Sequence, residues 1–184
     1  MNEPSWAQLV DEAIPKDYRR VGEGLVHRTA ILFGDIQIGK NSRIDAYAVL
    51  TGPVVLGRYV HVGTGCFVSG ANSLVRLDDF SSLSAGVKVF SGSDDYSGLS
   101  MTNPTVPMQC KPGLKRGPVI VGRHAIVGAG SVVLPSVQIG EGTAVAALAM
   151  VKESLEPWSI YGGVPARKLG PRKMDLLQYE SLCA

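Results

Sequence analysis

Aliphatic residues recur at every sixth position along two long stretches of the chain. The first series is Val26, Leu32, Ile38, Ile44, Leu50, Leu56, Val62 and Val68, and the second is Val121, Val127, Val133, Ile139, Val145 and Val151. Four positions after most of them stands another compact residue, such as Ser42, Ala48, Cys66, Ala125, Ser131 or Thr143. An α-helix repeats its apolar residues about every 3.6 positions and a half-buried strand every second one, so neither explains this period. The pattern predicts short strands joined by corners, with three hexads in each triangular coil and the coils stacked in parallel.

Glycine is the second regular marker of the chain. There are 22 glycines, whereas aromatic residues make up only 7% of the sequence. Several glycines directly follow an aliphatic residue of the series: Gly39, Gly57, Gly63, Gly122, Gly128 and Gly140. Because glycine adopts backbone conformations that other residues avoid, we expect these positions to form the corners. The predicted fold class is an all-β solenoid.

The sixfold pattern is interrupted at two places. After Val68 it resumes three residues late, at Leu77, Leu83 and Val89, which predicts a bulge within residues 71–76. Over residues 92–118 the hexads vanish, and Gly, Pro, Ser and Asn are abundant. Loops this long within a compact domain are usually functional or disordered, and regular coils on both sides favour a functional loop extruded from the solenoid.

The two ends of the chain are predicted to close the solenoid with short helices. Ser5 is a suitable N-cap for a helix that reaches about Ala13 before Pro15 stops it. The stretch from Arg172 to Leu182 has helical apolar spacing. The expected organisation is therefore an N-terminal helical cap over residues 1–24, a β-helix over 25–156 and a C-terminal segment with a helix over 157–184.

Composition excludes several classes of function. The chain has 18 basic and 16 acidic residues, and its net charge of +2 is too small for a nucleic-acid binder. It has no run of about 18 apolar residues that would cross a membrane, and its N-terminus lacks the basic and apolar stretches of a secretory signal. Three cysteines without a CxxC spacing predict neither disulfides nor a zinc site, and no His, Asp and Glu cluster has metal-ligand spacing. We expect a cytoplasmic protein without a metal.

The hexads resemble those of the hexapeptide-repeat acyltransferases. The motif of that family, an aliphatic residue, a glycine, two free positions and a small residue, is met by Ile38-Gly39-Lys40-Asn41-Ser42 and by Val127-Gly128-Ala129-Gly130-Ser131. The resemblance covers roughly residues 25–170. It implies a left-handed parallel β-helix, a homotrimer, and acetyl-CoA or another acyl-CoA as co-substrate. It also implies an active site between two β-helices, covered by the extruded loop of the neighbouring subunit.

The resemblance places an aspartate where the family commonly has a catalytic histidine. Alignment of the hexads LDDFSS, LSAGVK and VFSGSD puts Asp94 at that position, and the loop contains no histidine. An unperturbed aspartate, with a pKa near 3.9, is a weak base towards an alcohol but can accept a proton from an attacking amine. Asp94 is therefore our candidate base, with Asp95 as the alternative, although an acidic pair is also typical of a solvated turn.

Ser84 and His61 complete the predicted catalytic set. Ser84 stands at a corner position usually held by glycine, from which its hydroxyl could reach a substrate or only satisfy corner backbone groups. Counting residues per coil places His61 at the same corner, one coil below Ser84, where it is either a substrate ligand or an ordinary surface histidine.

The tail Ile160-Tyr161-Gly162-Gly163-Val164-Pro165-Ala166-Arg167-Lys168-Leu169 resembles the C-terminal signature of the family. The resemblance implies that Arg167 and Lys168 bind coenzyme phosphates, with backbone contacts near Ala129 and Ala147. Lys152 and Arg172 are additional candidates. A basic chain reversal without a ligand is the alternative interpretation.

Three functions remain open from the sequence. The first is N-acylation, with acetyl-CoA, of an amino sugar carried by a nucleotide, in surface-polysaccharide biosynthesis; the absence of a loop histidine favours it. The second is O-acetylation of a sugar or an antibiotic, which needs a stronger base and would make His61 important. The third is a non-catalytic β-helix scaffold, against which the tail argues.

Overall fold

The computed structural model describes residues 16–183, and nearly all of its regular elements are β-strands. Parallel strands stack coil upon coil into three sheets, which form the sides of a left-handed β-helix, as the hexads predicted. The helix predicted from Ser5 to Ala13 lies outside the described residues. Within residues 16–183, no helix has both the length and the apolar character needed to cross a bilayer.

Each regular coil contributes one strand to each sheet. Sheet A consists of β1 (Tyr18–Val21), β2 (Gly24–His27), β5 (Arg43–Ile44), β8 (His61–Val62), β11 (Ser82–Leu83), β16 (Ile126–Val127), β19 (Ala144–Val145), β21 (Ser159–Gly162) and β22 (Arg167–Pro171). Sheet B consists of β3 (Ile31–Phe33), β6 (Val49–Thr51), β9 (Phe67–Ser69), β12 (Lys88–Phe90), β17 (Val132–Val133) and β20 (Met150–Val151). Sheet C consists of β4 (Ile36–Ile38), β7 (Val54–Leu56), β10 (Val75–Leu77), β15 (Val119–Val121) and β18 (Gln138–Ile139).

The aliphatic residue of each hexad points into the solenoid. In sheet A, Val26 pairs with Ile44 and Ile44 with Val62, so identical hexad positions lie directly above one another. All members of both series are buried except Leu32 and Ile38 of the first coil, which are half-buried. The compact residues four positions later are buried as well. Where the compact residue carries a hydroxyl group, this group can bond the backbone at the corner. Ser42 Oγ donates to the carbonyl oxygen of Gly57 (2.7 Å) and accepts from the backbone NH of Val60 (2.9 Å).

The glycines after the aliphatic residues have a different role from the one predicted. None of them has a positive φ; the left-handed residue of a corner comes two positions later, and is Asn41 (φ 59°), Tyr59 (φ 57°) or His124 (φ 57°) in three of the coils. The glycines are needed instead because the coils approach closely. A Cβ on Gly122 would lie 2.8 Å from both the backbone nitrogen of Glu141 and the carbonyl oxygen of Ile139 in the next coil.

Both interruptions of the hexads lie at the same corner of the β-helix, between a strand of sheet B and the next strand of sheet C. The three extra residues after Val68 extend the turn between β9 and β10. One coil further on, the long loop leaves after β12 and returns at β15; it contains the antiparallel pair β13 (Gly92–Ser93) and β14 (Lys115–Arg116) and the 3-10 helix η1 (Met108–Cys110). The backbone NH groups of Asn72 and Ser73 donate to Oγ of Ser91 (3.3 and 3.0 Å). The short insertion therefore supports the start of the long loop.

The described ends of the chain differ from the predicted helical caps. Residues 18–21 form β1, which folds back antiparallel onto β2, so this part of the predicted cap is a hairpin of sheet A. At the other end β22 is antiparallel to β21, and sheet A therefore extends beyond residue 156. The stretch predicted as a closing α-helix forms the 3-10 helix η2 (Asp175–Cys183), which buries none of its residues. Polar contacts hold this segment where an apolar helix face was predicted, and they include the ion pair of Glu180 with Arg123 and the contact of Glu180 with His124.

Candidate active site

Asp94 lies in the extruded loop beside a buried lysine. Nζ of Lys111 is 2.6 Å from Oδ1 of Asp94, and the backbone NH of Asn103 donates to Oδ2 (2.9 Å). The Lys111 ammonium is the main cause that lowers the pKa of Asp94, followed by the hydrogen bond from Asn103. Asp94 is thus a fixed, ionised carboxylate whose side chain retains 28% of its exposure.

The neighbouring Asp95 is occupied within the loop. Oδ1 accepts hydrogen bonds from the backbone NH (2.9 Å) and hydroxyl (2.6 Å) of Ser97, and Oδ2 accepts from the backbone NH of Ser100 (3.0 Å). The Ser97 hydroxyl is the largest of the causes that lower the pKa of Asp95 to about 2. Asp95 is also buried. The geometry therefore favours Asp94 as the carboxylate that can face a substrate.

Ser84 occupies the corner between sheets A and B, where its neighbours lack side chains. Gly63 lies next to Ser84 in the coil below. In the coil above, the carbonyl oxygen of Val127, the residue before Gly128, accepts from the backbone NH of Ser84 (2.9 Å). Among the described residues, the Ser84 hydroxyl has no hydrogen-bond partner on another side chain. The same corner carries two of the predicted coenzyme positions, since the backbone NH of Leu148 donates to the carbonyl oxygen of Ala129 (2.9 Å) and Ala147 is the residue before Leu148.

The predicted position of His61 relative to Ser84 is wrong. His61 pairs with Ser82 in the ladder, and Gly63 is the residue below Ser84. Leu83 lies opposite Val62, 21 residues earlier, so Ser84 lies opposite Gly63 and not opposite His61, which is 23 residues earlier. His61 lies on the outer face of sheet A.

His61 belongs to a polar cluster with Asp45, Arg43 and Tyr18. His61 Nε2 is 2.8 Å from Oδ2 of Asp45, Arg43 Nε is 2.8 Å from Oδ1, and the Tyr18 hydroxyl donates to Oδ1 (2.8 Å). Burial acts to raise the pKa of Asp45, but hydrogen bonds from His61 and Tyr18 and the charge of Arg43 lower it overall. Burial and the bond to Asp45 raise the pKa of Tyr18 to about 12.

Three of the predicted coenzyme residues meet in one pocket. Lys152, Arg167 and Lys168 line a depression at the corner between sheets B and C, together with Leu155, Tyr161 and Ala166. Ala129 and Ala147 lie outside it, at the corner between sheets A and B. Lys168 Nζ is 2.6 Å from Oε2 of Glu156, and this hydrogen bond raises the pKa of Lys168. Within residues 16–183, Arg167 has no carboxylate partner, which leaves its guanidinium available for an anion.

The additional candidate Arg172 does not reach this pocket. Its side chain lies between His124 and Gly142, at the corner between sheets C and A. Burial is the cause that lowers the pKa of its guanidinium.

Lys111, His124 and Asn103 are polar residues of the structure that no sequence pattern predicted. Lys111 and Asn103 lie in a loop without periodicity, where nothing but polar composition marks them. His124 stands at a left-handed corner position and stacks on Phe80, with ring centroids 5.1 Å apart. No group of His, Cys, Asp and Glu side chains within residues 16–183 has the geometry to hold a metal ion.

Comparison with known proteins identifies the family. The family model "Bacterial transferase hexapeptide (six repeats)" matches residues 35–70. The dTDP-4-amino-4,6-dideoxy-D-glucose acyltransferase of Escherichia coli is 34% identical over 171 residues, which span 90% of this chain and 88% of that enzyme. This chain belongs to the hexapeptide-repeat acyltransferases.

Solved structures are similar to this chain as well. AntD, an N-acyltransferase from Bacillus cereus in complex with dTDP and 3-hydroxybutyryl-CoA, has a TM-score of 0.85 and 39% identity over 88% of this chain and 87% of AntD. The acetyltransferase domain of PglB from Neisseria gonorrhoeae shares the fold, with a TM-score of 0.62 and 22% identity over 79% of this chain and 57% of that chain. AntD has also been solved as variants of its Ser84 and of its Asp94, and the S84A variant holds dTDP-4-amino-4,6-dideoxyglucose and coenzyme A.

In this hexapeptide-repeat acyltransferase, the candidate groups lie at three different places in the described part of the chain. Ser84 is at the corner between sheets A and B, Asp94 is in the loop that leaves the corner between sheets B and C, and His61 is on the face of sheet A.

Proposed function

We propose that this chain is an N-acyltransferase that moves the acyl group of a coenzyme A thioester to the amine of a dTDP-linked amino sugar. The observation that carries the proposal is the similarity to the E. coli acyltransferase over 90% of this chain, at 34% identity. AntD, whose complexes hold dTDP and acyl-CoA or a dTDP-4-amino sugar and coenzyme A, supports both substrates.

The chemistry of Asp94 suits an amine acceptor. The neutral amine attacks the thioester carbonyl, a C–N bond forms and the C–S bond breaks. The amine loses one proton and the coenzyme A thiolate takes one up, so coenzyme A leaves as its thiol. The nitrogen becomes acidic as it attacks, so a carboxylate of lowered pKa can take its proton. A hydroxyl acceptor would need a stronger base, and residues 92–118 contain no histidine.

We assign Ser84 to the same reaction, as a hydroxyl that binds the acceptor or the developing oxyanion. Its open surroundings between glycines support this role. AntD has been solved with substitutions of a serine and of an aspartate, the two residue types that are paired in this proposal.

Coenzyme A binds, in this proposal, along sheet B from one corner to the next. Arg167, Lys168 and Lys152 would hold its phosphates, because their cationic groups share one pocket. The pantetheine arm would pass the backbone near Ala129 and Ala147, towards Ser84. The proposal includes a cytoplasmic location for the enzyme.

A homotrimer would bring Asp94 of one subunit towards Ser84 of another. The exposed apolar side chains of the extruded loop support this arrangement: they are Tyr96, Leu99, Met101 and Met108. Tyr96 is 94% exposed in the single chain, and such apolar groups are usually covered by a partner. Sedimentation equilibrium should give three times the chain mass of 19.5 kDa; a monomer that is fully active would contradict the shared site.

A coenzyme-release assay tests the function. Acetyl-CoA and 3-hydroxybutyryl-CoA are offered with a panel of dTDP-linked amino sugars and simple hydroxyl acceptors, to wild type, Asp94→Asn and the control Asp78→Asn. We expect turnover of an amino sugar that falls at least ~100-fold in Asp94→Asn, the range of a general base, and is unchanged in the control.

Other results of this assay would replace the proposal. Turnover of hydroxyl acceptors alone, unaffected by Asp94→Asn but lost in His61→Gln, would establish an O-acyltransferase that uses the contact between His61 and Asp45. No turnover and no binding of acetyl-CoA would indicate a scaffold.

A further inference from the structure

We propose that Lys111 is a positioning residue of the acyl-transfer site, which holds the Asp94 carboxylate in one orientation and one ionisation state. The inference rests on the proposed role of Asp94 as the proton acceptor, and it adds a residue that neither periodicity nor family motif indicates.

Lys111 and Asn103 enclose the carboxylate from two sides. Lys111 Nζ is 2.6 Å from Oδ1 of Asp94 and also donates to the carbonyl oxygen of Asn103 (2.9 Å), whereas the NH of Asn103 donates to Oδ2 (2.9 Å). Three residues therefore form a closed ring of contacts. Asn103 itself is fixed in a left-handed turn (φ 75°), where its side chain accepts from the NH (2.9 Å) and the hydroxyl (2.7 Å) of Thr105.

The burial of Lys111 makes the pair obligatory. Its side chain is only 7% exposed, and among the described residues Asp94 is the single carboxylate within 4.0 Å of its ammonium. A buried ammonium without a counter-charge is strongly unfavourable. The loop can hold Lys111 in this place only while Asp94 is ionised. Each of the two charged groups therefore keeps the other in its charged state.

The consequence for the reaction is a carboxylate that cannot rotate or bind a proton before the amine arrives. One oxygen stays on Lys111 and the other on the Asn103 amide, so the remaining lone pairs point in fixed directions. The lowered pKa of Asp94, caused first by Lys111, agrees with this arrangement. Such fixed placement matters because a shift of about 1 Å in a reacting group can lower the rate about 100-fold.

A thermal-unfolding cycle tests the pairing without any substrate. Wild type, Asp94→Asn, Lys111→Met and the double variant are compared, with Lys115→Met as the control from an exposed strand of the same loop. We expect Asp94→Asn to lower the midpoint by roughly 5 °C, because it leaves the buried ammonium unpaired, and the double variant to recover most of this loss.

Kinetics then test the positioning role. Lys111→Met should lower kcat at least about tenfold at pH 7 with little change in the KM for acyl-CoA, because the carboxylate is no longer fixed. The ratio of kcat/KM between variant and wild type should fall further from pH 7 to pH 5, since loss of the ammonium raises the pKa of Asp94; ionisation of the substrate amine cancels in this ratio. Lys111→Arg, which keeps the charge, should retain a ratio that does not depend on pH.

The failures of this proposal and of the proposed function are distinguishable. Additive midpoints in the unfolding cycle, or a loss in Lys111→Met that is the same at every pH, would overturn the positioning role while Asp94→Asn remains inactive. Full turnover in Asp94→Asn would overturn the assignment of the base, and with it the catalytic role of Lys111, even if the midpoints are coupled.

Discussion

Arg172 reaches across the chain and donates a hydrogen bond from Nη1 to the carbonyl oxygen of His124 (2.9 Å). The same nitrogen donates to the carbonyl oxygen of Gly142 (3.0 Å), and the backbone NH of Arg172 donates to Trp158 (2.8 Å). Arg172 directly follows the strand β22. Its contacts therefore bind the end of the chain to the corner between sheets C and A. Arg172 is a structural residue in the described chain.

Arg172→Met should therefore destabilise the fold and leave coenzyme binding intact. Two partly buried carbonyl oxygens lose their donor, at a cost of about 1–3 kcal/mol in the free energy of unfolding. Urea unfolding measures this change, and Lys173→Met is the exposed control. A raised KM for acyl-CoA with unchanged stability would instead make Arg172 a coenzyme ligand.

Arg167→Gln should weaken coenzyme binding with little effect on stability. The guanidinium lies in the pocket with Lys152, exposed and without a described carboxylate partner, so its loss removes a cation from bound phosphates. We expect the KM for acyl-CoA to rise about tenfold, the value of one charge-assisted contact, and kcat to change little. Steady-state kinetics at varied acyl-CoA concentrations measures this change. An unchanged KM would show that Arg167 does not bind the coenzyme phosphates.

Gly122→Ala should lower the free energy of unfolding because the new methyl group meets the coil above. The backbone conformation of Gly122 is not the cause. Its new Cβ would meet the backbone of Glu141 and Ile139 at 2.8 Å, whereas a Cβ on Gly170 would meet nothing within 4 Å. Overpacking of this kind costs about 1–3 kcal/mol. Calorimetry of the Gly122→Ala and Gly170→Ala variants should show a lowered midpoint in the first alone.

Stability should fall as the pH drops below about 6.5, through His124. Burial lowers the pKa of His124, and the charges of Arg123 and Arg172 add to this effect, while Glu141 and Asp79 act in the opposite direction. The unfolded chain then binds a proton at a higher pH than the folded one, so stability is complete above the ordinary pKa and is lost as the pH falls towards the lowered value.

The test of this pH dependence is the unfolding midpoint between pH 7.5 and pH 5.5. His124→Asn should flatten the decline, because asparagine is accepted at the φ of 57° that His124 adopts. His27→Gln, at a half-buried residue of β2, is the control and should keep it. An unchanged slope in His124→Asn would assign the dependence to other groups.

The solenoid could be predicted from the sequence because the side chains that fill its interior recur at fixed positions. Each coil requires an aliphatic residue and a compact one at fixed spacing, and Val127 and Ser131 show that requirement directly. The corner geometry was less accessible, since the left-handed position is occupied by Tyr59 or His124 in some coils and by glycine in others. Only the distance between coils explains Gly122.

The site could be predicted only in part. Lys152, Arg167 and Lys168 meet in one pocket because the tail motif fixes their relation to the last coil. The position of His61 was miscounted by two residues, because the hexads give the length of the coil but do not show which residues lie opposite each other at a corner. The contact of Lys111 with Asp94 joins positions 17 residues apart within a loop that has no period. The closing α-helix predicted near the chain end was wrong because Glu180 and Arg172 anchor that segment through polar contacts and not through an apolar helix face.

The strands that precede the extruded loop pair with strands that follow it, as though the loop did not exist. β10 is hydrogen-bonded to β15 in sheet C, and β12 to β17 in sheet B, so the ladder closes beneath the segment that carries Asp94. Insertions or deletions in that segment would leave every rung of the solenoid in place. The scaffold can thus remain constant while the loop changes in length and chemistry, and a lineage of such enzymes can acquire new acceptors without having to evolve a new fold.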